Sequence, residues 1–298
     1  MQILIINIIN VYYGQFEGVV KTMSDIFNLQ GKTALITGAS QGLGASFAQL
    51  LASEGVTVIL ASRQIHKLNQ IADNIKCSGG KAIVLPLDVS KKEQIKDSIA
   101  KILSEKIYID ILINNAGLSL LTPIFNNDSI NELESDKAFE EMMYTNVLGT
   151  WFVSCIVANH MKENNIFGSI INIASVCGAN KLRSNLTGYC ASKAAVIQMT
   201  KAMVGELGTA NIRVNCIVPG LINTPMTGER VGDNKTRKKI EDTIPLHFVS
   251  EPKDFDGALL YLASNNASRY VTGSCITVDG GVSWGGAYDY YLFKGVIY

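Results

Sequence analysis

The stretch TGASQGLG at positions 37–44 constrains the fold of this chain more than any other segment. It follows TALIT, a short β-rich run typical of a buried strand. After it, apolar residues that include Leu43, Phe47 and Leu51 recur at the spacing of one helix face, and Gly55 stands where such a helix would end. The segment therefore predicts a strand, a glycine turn and a helix, which is the building unit of α/β folds.

A glycine turn in this setting can bind a dinucleotide. Glycines let the backbone approach a pyrophosphate closely, and the helix that follows offers free N–H groups and a partial positive charge. The spacing here is Gly-x-x-x-Gly-x-Gly rather than the commoner Gly-x-Gly-x-x-Gly, and a tight turn without a ligand would also need glycines. The loop residues predicted to contact a dinucleotide are Gly38, Ser40, Gln41, Gly42, Leu43 and Gly44.

A tyrosine and a lysine four residues apart are the second informative feature. On a helix, this spacing places the hydroxyl of Tyr189 and the ammonium of Lys193 on one face. A nearby cation favours the phenolate, so we expect the pKa of Tyr189 to fall below its ordinary value of about 10. Ser175 lies upstream, at the end of the apolar run SIINIAS. A surface helix could carry the same pair, and the pair gains weight because the glycine loop precedes it.

Together these segments resemble the short-chain dehydrogenase/reductases with a Tyr-x-x-x-Lys active site. The resemblance runs from about Leu29 to Gly281 and includes further motifs in the family's order. These are the Asn114-Asn115-Ala116-Gly117 signature, Asn146 within YTNV, the pair Asp88 and Val89, and the segment Pro219, Gly220, Ile222 and Thr224. The resemblance implies cofactor contacts for Asp88, Val89, Asn115, Ala116, Gly117, Tyr189, Lys193, Pro219, Gly220, Ile222 and Thr224.

The resemblance also implies a role for each of four catalytic residues. Tyr189 would donate a proton to a carbonyl oxygen as hydride arrives from a nicotinamide. Lys193 would lower the tyrosine pKa and bind the nicotinamide ribose. Ser175 would hydrogen-bond the substrate oxygen, and Asn146 would hold a water that links Lys193 to solvent.

The whole chain alternates strand-like and helix-like segments, which predicts a single doubly wound α/β domain of Rossmann type. Candidate strands are TALIT, TVILAS, KAIVLPLD, DILIN, SIINIAS, RVNCIVP and CITVDG. The resemblance implies a parallel seven-stranded sheet of order 3-2-1-4-5-6-7 with helices on both faces. We expect the domain to span residues 23–283, after an apolar extension at 1–22 and before a tail at 284–298.

Cofactor choice follows from charge at the end of the second strand. Family members that prefer NAD carry an acid there, which would repel the 2′-phosphate of NADP. Here Ser62 stands at that position and Arg63, suited to phosphate contact, follows it. We therefore expect NADP(H) over NAD(H), unless Arg63 is a solvated residue that only stacks on adenine.

Composition narrows the class of protein. A net charge of zero gives no reason to expect a nucleic acid or an anionic membrane as partner. The six cysteines show no Cys-x-x-Cys pair, so we expect reduced thiols, no metal site and a cytoplasmic location. The apolar stretch at 1–22 is too short to span a bilayer and has no cationic face, so membrane attachment is not expected.

The substrate is the least constrained feature. Residues 221–249 fall where the family has a mobile lid, and they contain Arg230, Lys235, Arg237, Lys238 and Lys239. A basic lid would suit an acyl thioester and hence a 3-oxoacyl reductase, although a charge run is more often a solvated face. Sugar-acid, polyol and steroid-like ketones stay open, as does a non-catalytic dinucleotide-binding protein. The resemblance further implies a dimer or tetramer formed through two long helices and the last strand.

Overall fold

The computed structural model describes residues 26–125, 132–228 and 234–284 and contains a parallel seven-stranded sheet. Its strand order is β3-β2-β1-β4-β5-β6-β7, which confirms the predicted topology. The strands are β1 (Thr33–Thr37), β2 (Thr57–Ser62), β3 (Lys81–Pro86), β4 (Ile111–Asn114), β5 (Ser169–Ile173), β6 (Arg213–Pro219) and β7 (Cys275–Val278). The α-helices are α1 (Gly42–Ser53), α2 (Ile65–Cys77), α3 (Lys92–Ser104), α4 (Glu132–Met142), α5 (Thr150–Glu163), α6 (Thr187–Ala202), α7 (Val204–Thr209), α8 (Asn234–Glu241) and α9 (Asp256–Ala263).

Helices cover both faces of the sheet because alternate residues of its central strands point in opposite directions. Ile36 of β1 packs in the core that includes side chains of α1, α2 and α9, whereas its neighbour Leu35 packs in the core under α3 and α5. The central strands are buried throughout, which explains why they read as continuous apolar runs. The doubly wound α/β fold is thereby confirmed.

A buried polar network joins the middle strands to the helices beside the cleft. The Asn114 amide donates to Ser154 Oγ at 2.8 Å and to Asn172 Oδ1 at 2.9 Å. Asn172 in turn donates to Thr200 Oγ1 of α6 at 2.9 Å. A buried polar group without a hydrogen-bond partner costs free energy. This network of hydrogen bonds therefore fixes β4, β5, α5 and α6 relative to one another.

The bounds of the predicted domain, residues 23 and 283, remain predictions. Residues 1–25 and 285–298 lie outside the described residues, so the expected extension and most of the tail have no structural counterpart here. Within the part that is described, no helix combines the length and the apolar character needed to cross a bilayer.

Candidate active site

The predicted site residues converge on one cleft at the carboxyl ends of the strands, where open α/β sheets bind ligands. Every predicted residue except Gly44 and Asn146 lines this cleft. The lining residues predicted from sequence are Gly38, Ser40, Gln41, Gly42, Leu43, Arg63, Asp88, Val89, Asn115, Ala116, Gly117, Ser175, Tyr189, Lys193, Pro219, Gly220, Ile222 and Thr224.

The glycines of the turn permit a backbone conformation and a close packing that larger residues would not. Gly38 has φ +66° and Gly42 has φ +57°, a region that glycine adopts without strain. A Cβ at Gly38 would stand 2.8 Å from the Ala116 Cα, so the β1–α1 turn could not lie against β4 with any larger residue. Gly44 sits behind the cleft, where a Cβ would collide with the Gly38 carbonyl oxygen. Its role in the structure is the close packing of α1 on that turn.

Asn115 and Thr37 lock the two central strands together at the cleft. The Asn115 amide donates to the carbonyl oxygens of Thr37 and Gly38, both at 3.1 Å. In return, the Thr37 hydroxyl accepts from the backbone N–H groups of Asn115 and Ala116, both at 3.1 Å. These four bonds hold the glycine turn against the end of β4.

Tyr189, Lys193 and Ser175 meet in the same cleft, as the sequence predicts. The Lys193 Nζ lies 6.0 Å from the centre of the Tyr189 ring and donates to the Ile173 carbonyl oxygen at 2.8 Å. The Ser175 hydroxyl lies close enough to the Tyr189 hydroxyl to lower its pKa, and it accepts from the Cys177 backbone N–H at 3.2 Å. Ser175 takes this place because it caps the short 3₁₀ helix Val176–Gly178 that follows β5.

The electrostatics of this pair differ from the sequence-based expectation. Burial raises the pKa of Tyr189 to about 12, and this effect outweighs the Ser175 hydrogen bond and the Arg183 charge, which both lower it. Burial likewise lowers the pKa of Lys193 to about 8. The expected fall in the Tyr189 pKa is therefore wrong for the protein itself: removal from water dominates, and the ammonium is bonded to Ile173.

Asn146 stands behind the cleft and is fully buried, at 0% exposure. It lies in the π-helical segment Met143–Gly149, and its amide exchanges hydrogen bonds with the Leu118 backbone N–H and carbonyl at 2.8 and 2.9 Å. The amide also donates to Ser192 Oγ at 2.9 Å, and Ser192 donates to the Tyr189 carbonyl oxygen. Asn146 thus connects the cleft floor to α6, and its water-holding role remains a prediction.

Ser62 and Arg63 form the other end of the cleft, after β2. Ser62 is buried and its hydroxyl accepts from the Gln64 backbone N–H at 3.1 Å, whereas the Arg63 side chain is exposed. Asp88, which follows β3, accepts two hydrogen bonds from Ser90, one from the Ser90 backbone N–H and one from the Ser90 hydroxyl. With the glycine turn that lines the cleft and the uncapped start of α1, this arrangement fits a dinucleotide laid across the edge of the sheet.

Comparison with known proteins identifies the family. A family model described as enoyl-(acyl carrier protein) reductase matches residues 38–283. A short-chain type dehydrogenase/reductase of known structure from Mycobacterium marinum is 36% identical, with a TM-score of 0.80 over 88% of this chain and 100% of the other. The chain belongs to the short-chain dehydrogenase/reductase family.

Two further relatives of this short-chain dehydrogenase/reductase differ in their named substrates. The 3-oxoacyl-[acyl-carrier-protein] reductase FabG of Thermotoga maritima is 36% identical over 85% of this chain and 98% of its own length. A gluconate 5-dehydrogenase from Burkholderia cenocepacia, solved with NADP and tartrate, is 30% identical with a TM-score of 0.80, covering 88% and 99% of the two chains. The protein is thus an oxidoreductase that binds NAD(P) and acts on a carbonyl or alcohol group.

Sequence reasoning missed several residues of this short-chain dehydrogenase/reductase site. The cleft is also lined by Gln64, Leu87, Leu118, Thr145, Ile173, Ala174, Pro225, Met226 and Thr227. Most follow directly on a predicted strand or motif, so extending each motif by two residues would have found them. Arg183, whose charge reaches Tyr189, lies in the loop before α6 and carries no pattern that singles it out.

Proposed function

We propose that this enzyme reduces a ketone to a secondary alcohol with NADPH, and that Tyr189 supplies the proton. One observation carries the proposal: Ser175 and Tyr189, with Lys193 one helical turn from Tyr189, lie in the same cleft as the glycine turn. The nicotinamide, when bound, supplies the hydride.

The protonation states of the two side chains suit reduction. With a pKa of about 12, Tyr189 holds its proton at neutral pH and can donate it to a carbonyl oxygen. With a pKa of about 8, Lys193 is still mainly charged at pH 7 and stabilises negative charge as it develops on the tyrosine oxygen. Ser175 would hold the same substrate oxygen, and Asn146 would hold the water that returns a proton. We assign these four residues as the catalytic set.

The proposed preference for NADPH rests on the end of β2. Ser62 places no negative charge beside the adenosine ribose, and the exposed guanidinium of Arg63 can reach a 2′-phosphate at the cleft rim. The relative from Burkholderia cenocepacia was solved with NADP bound. We further propose a cytoplasmic location, because the six cysteines, which all lie within the described residues, form no disulfide with one another, as expected in a reducing compartment.

For the substrate, we propose a 3-oxoacyl thioester. The reductase FabG of Thermotoga maritima supports this choice, as do the cations of α8, which follows cleft residues 224–227 along the chain. Arg237 pairs with Glu241 at 3.0 Å and Lys238 pairs with Asp242 at 3.1 Å, while Lys235 and Lys239 form no ion pair with another described residue. Arg230, the fifth predicted lid cation, lies outside the described residues. The gluconate 5-dehydrogenase relative makes a sugar acid the second candidate.

A substrate and cofactor screen tests both assignments. We expect oxidation of NADPH with acetoacetyl thioesters, and a value of kcat/KM at least about tenfold higher with NADPH than with NADH, because Arg63 and not an acid meets the 2′-position. The measurement is absorbance at 340 nm with thioesters, 5-ketogluconate and cyclic ketones. Faster turnover of 5-ketogluconate than of every thioester would favour the sugar-acid assignment, and a preference for NADH would refute the cofactor assignment.

We also propose that the enzyme is a homo-oligomer. The π-helical segment and α5 carry exposed Tyr144, Leu148 and Trp151, which are 54%, 37% and 43% exposed in the single chain. Apolar side chains along one helical surface are typical of a subunit interface. Sedimentation equilibrium should therefore give a dimer or tetramer, and Trp151→Glu should shift the protein toward the monomer. A wild-type monomer at micromolar concentration would contradict this proposal.

A further inference from the structure

Lys67 of α2 lies near the end of the cleft that contains Ser62 and Arg63, where the adenosine of the cofactor is proposed to bind. We call this the adenosine end of the cleft. Its ammonium donates to the Gln41 side-chain oxygen at 3.1 Å. Gln41 belongs to the glycine turn after β1, whereas Lys67 lies in the first turn of the helix after β2. The bond therefore spans the gap between the two turns and fixes a lysine ammonium on the cleft side of α2.

Two basic side chains, Arg63 and Lys67, lie four residues apart after β2. Arg63 and Gln41 both line the cleft, and α2 has no acidic residue in its first turn. Within residues 26–125, 132–228 and 234–284, neither Arg63 nor Lys67 forms an ion pair with a carboxylate. The start of α2 adds the partial positive charge of a helix N-terminus. Two unneutralised cations thus face the end of β2, where the buried Ser62 brings no negative charge.

A phosphate monoester near neutral pH carries a charge between −1 and −2, which one exposed arginine does not balance. A lysine ammonium is a flexible point charge, and its position is usually lost to side-chain motion. The amide of Gln41 reduces that motion because it holds the ammonium at the rim by a hydrogen bond. Lys67 can exchange or share this bond when a phosphate comes within reach.

We propose that Lys67, held by Gln41, is a second cation that recognises the 2′-phosphate of NADP(H), beside Arg63. The inference rests on the proposed preference for NADPH and names the residue that strengthens it. Lys67 acts on cofactor choice only, since it lies at the adenosine end of the cleft and far along the sheet edge from Tyr189.

The test is equilibrium binding of NADPH and NADH to the full-length protein, followed by nucleotide fluorescence. Lys67→Gln should raise the Kd for NADPH about three- to tenfold, as expected for a charge-assisted contact at an exposed position. The Kd for NADH should change less than twofold. Lys67→Arg keeps the charge and should retain most of the NADPH affinity.

Lys76→Gln is the matched control, because it removes the same charge from the last turn of the same helix. Both positions are exposed, so neither change should affect folding. Gln41→Leu should weaken NADPH binding in the wild-type background and have little further effect in Lys67→Gln, since the two residues act through one contact.

Three outcomes are decisive. A selective loss of NADPH affinity in Lys67→Gln, absent in Lys76→Gln, supports the assignment. A wild-type preference for NADPH that Lys67→Gln leaves unchanged within twofold would overturn the role of Lys67 and leave the cofactor assignment standing. A wild-type preference for NADH would overturn both.

Discussion

Replacing Tyr189 with phenylalanine should lower kcat about a thousandfold or more while the Kd for NADPH changes less than about threefold. The substitution removes only the hydroxyl, which is the proposed proton donor and whose pKa Ser175 lowers. General acid catalysis by a positioned side chain contributes about 10²- to 10⁴-fold to the rate. Among the described residues, no other tyrosine lines the cleft and could replace Tyr189. The measurements are steady-state turnover and equilibrium fluorescence of bound NADPH.

Tyr270→Phe is the matched control for this substitution. Tyr270 is fully exposed and lies outside the cleft, so the same chemical change there should leave kcat unchanged. A Tyr189→Phe enzyme that keeps more than a tenth of wild-type turnover would show that another group donates the proton.

Replacing Lys193 with methionine should lower kcat/KM about a hundredfold or more and should not destabilise the protein at pH 7. The ammonium stabilises charge on the Tyr189 oxygen, and removal of such a group typically costs about 10²- to 10³-fold in rate. Lys193 is only 5% exposed, and its burial lowers its pKa to about 8. Removing the charged ammonium from water on folding therefore costs free energy. Methionine has a similar length and carries no charge, so the variant avoids this cost.

The same substitution should change how stability depends on pH. A lysine whose pKa is about 8 when folded and about 10.5 when unfolded binds more protons in the unfolded chain between these values. The free energy of unfolding should therefore rise with pH across that window, by about 3 kcal/mol for this group. Tyr189 acts in the opposite direction only above pH 10, because its pKa is raised to about 12.

Urea unfolding of wild-type and Lys193→Met protein at pH 7.5 and pH 10 measures this difference. The wild type should gain stability relative to the variant between the two pH values. Lys201→Met is the control, since Lys201 is an exposed lysine two turns further along α6. A Lys193→Met protein that is several kcal/mol less stable than the wild type at pH 7.5 would contradict the proposed cost of burying the charge.

The central strands were predictable from sequence because their apolar runs are continuous and buried on both faces. β6 follows RVNCIVP residue for residue, as does β1 for TALIT. β3 stops at Pro86, two residues short of the predicted run, because Asp88 turns the chain by accepting from Ser90. β5 ends at Ile173 because Ser175 caps a short helix instead of continuing the ladder.

The residues that form the site were predictable from sequence, but the pKa shifts of Tyr189 and Lys193 were not. Spacing shows that Tyr189 and Lys193 share a helix face, yet it does not show how far each group is removed from water. The expected fall in the Tyr189 pKa was wrong because burial, which depends on the whole fold, outweighs the Ser175 and Arg183 interactions that lower it. For the same reason, no pattern in the sequence indicates that the Lys67 ammonium meets the Gln41 amide, since their contact depends on how two turns pack.

The fate of deuterium from NADPH that carries deuterium at both C4 positions tests the central claim most directly. The wild-type enzyme should place one deuterium on the carbinol carbon of the alcohol product, detected by mass spectrometry, and Tyr189→Phe should bind the same cofactor and form no product. A wild-type protein that binds NADPH and transfers deuterium to none of the thioesters, keto acids or cyclic ketones would contradict the account and indicate a non-catalytic dinucleotide-binding protein.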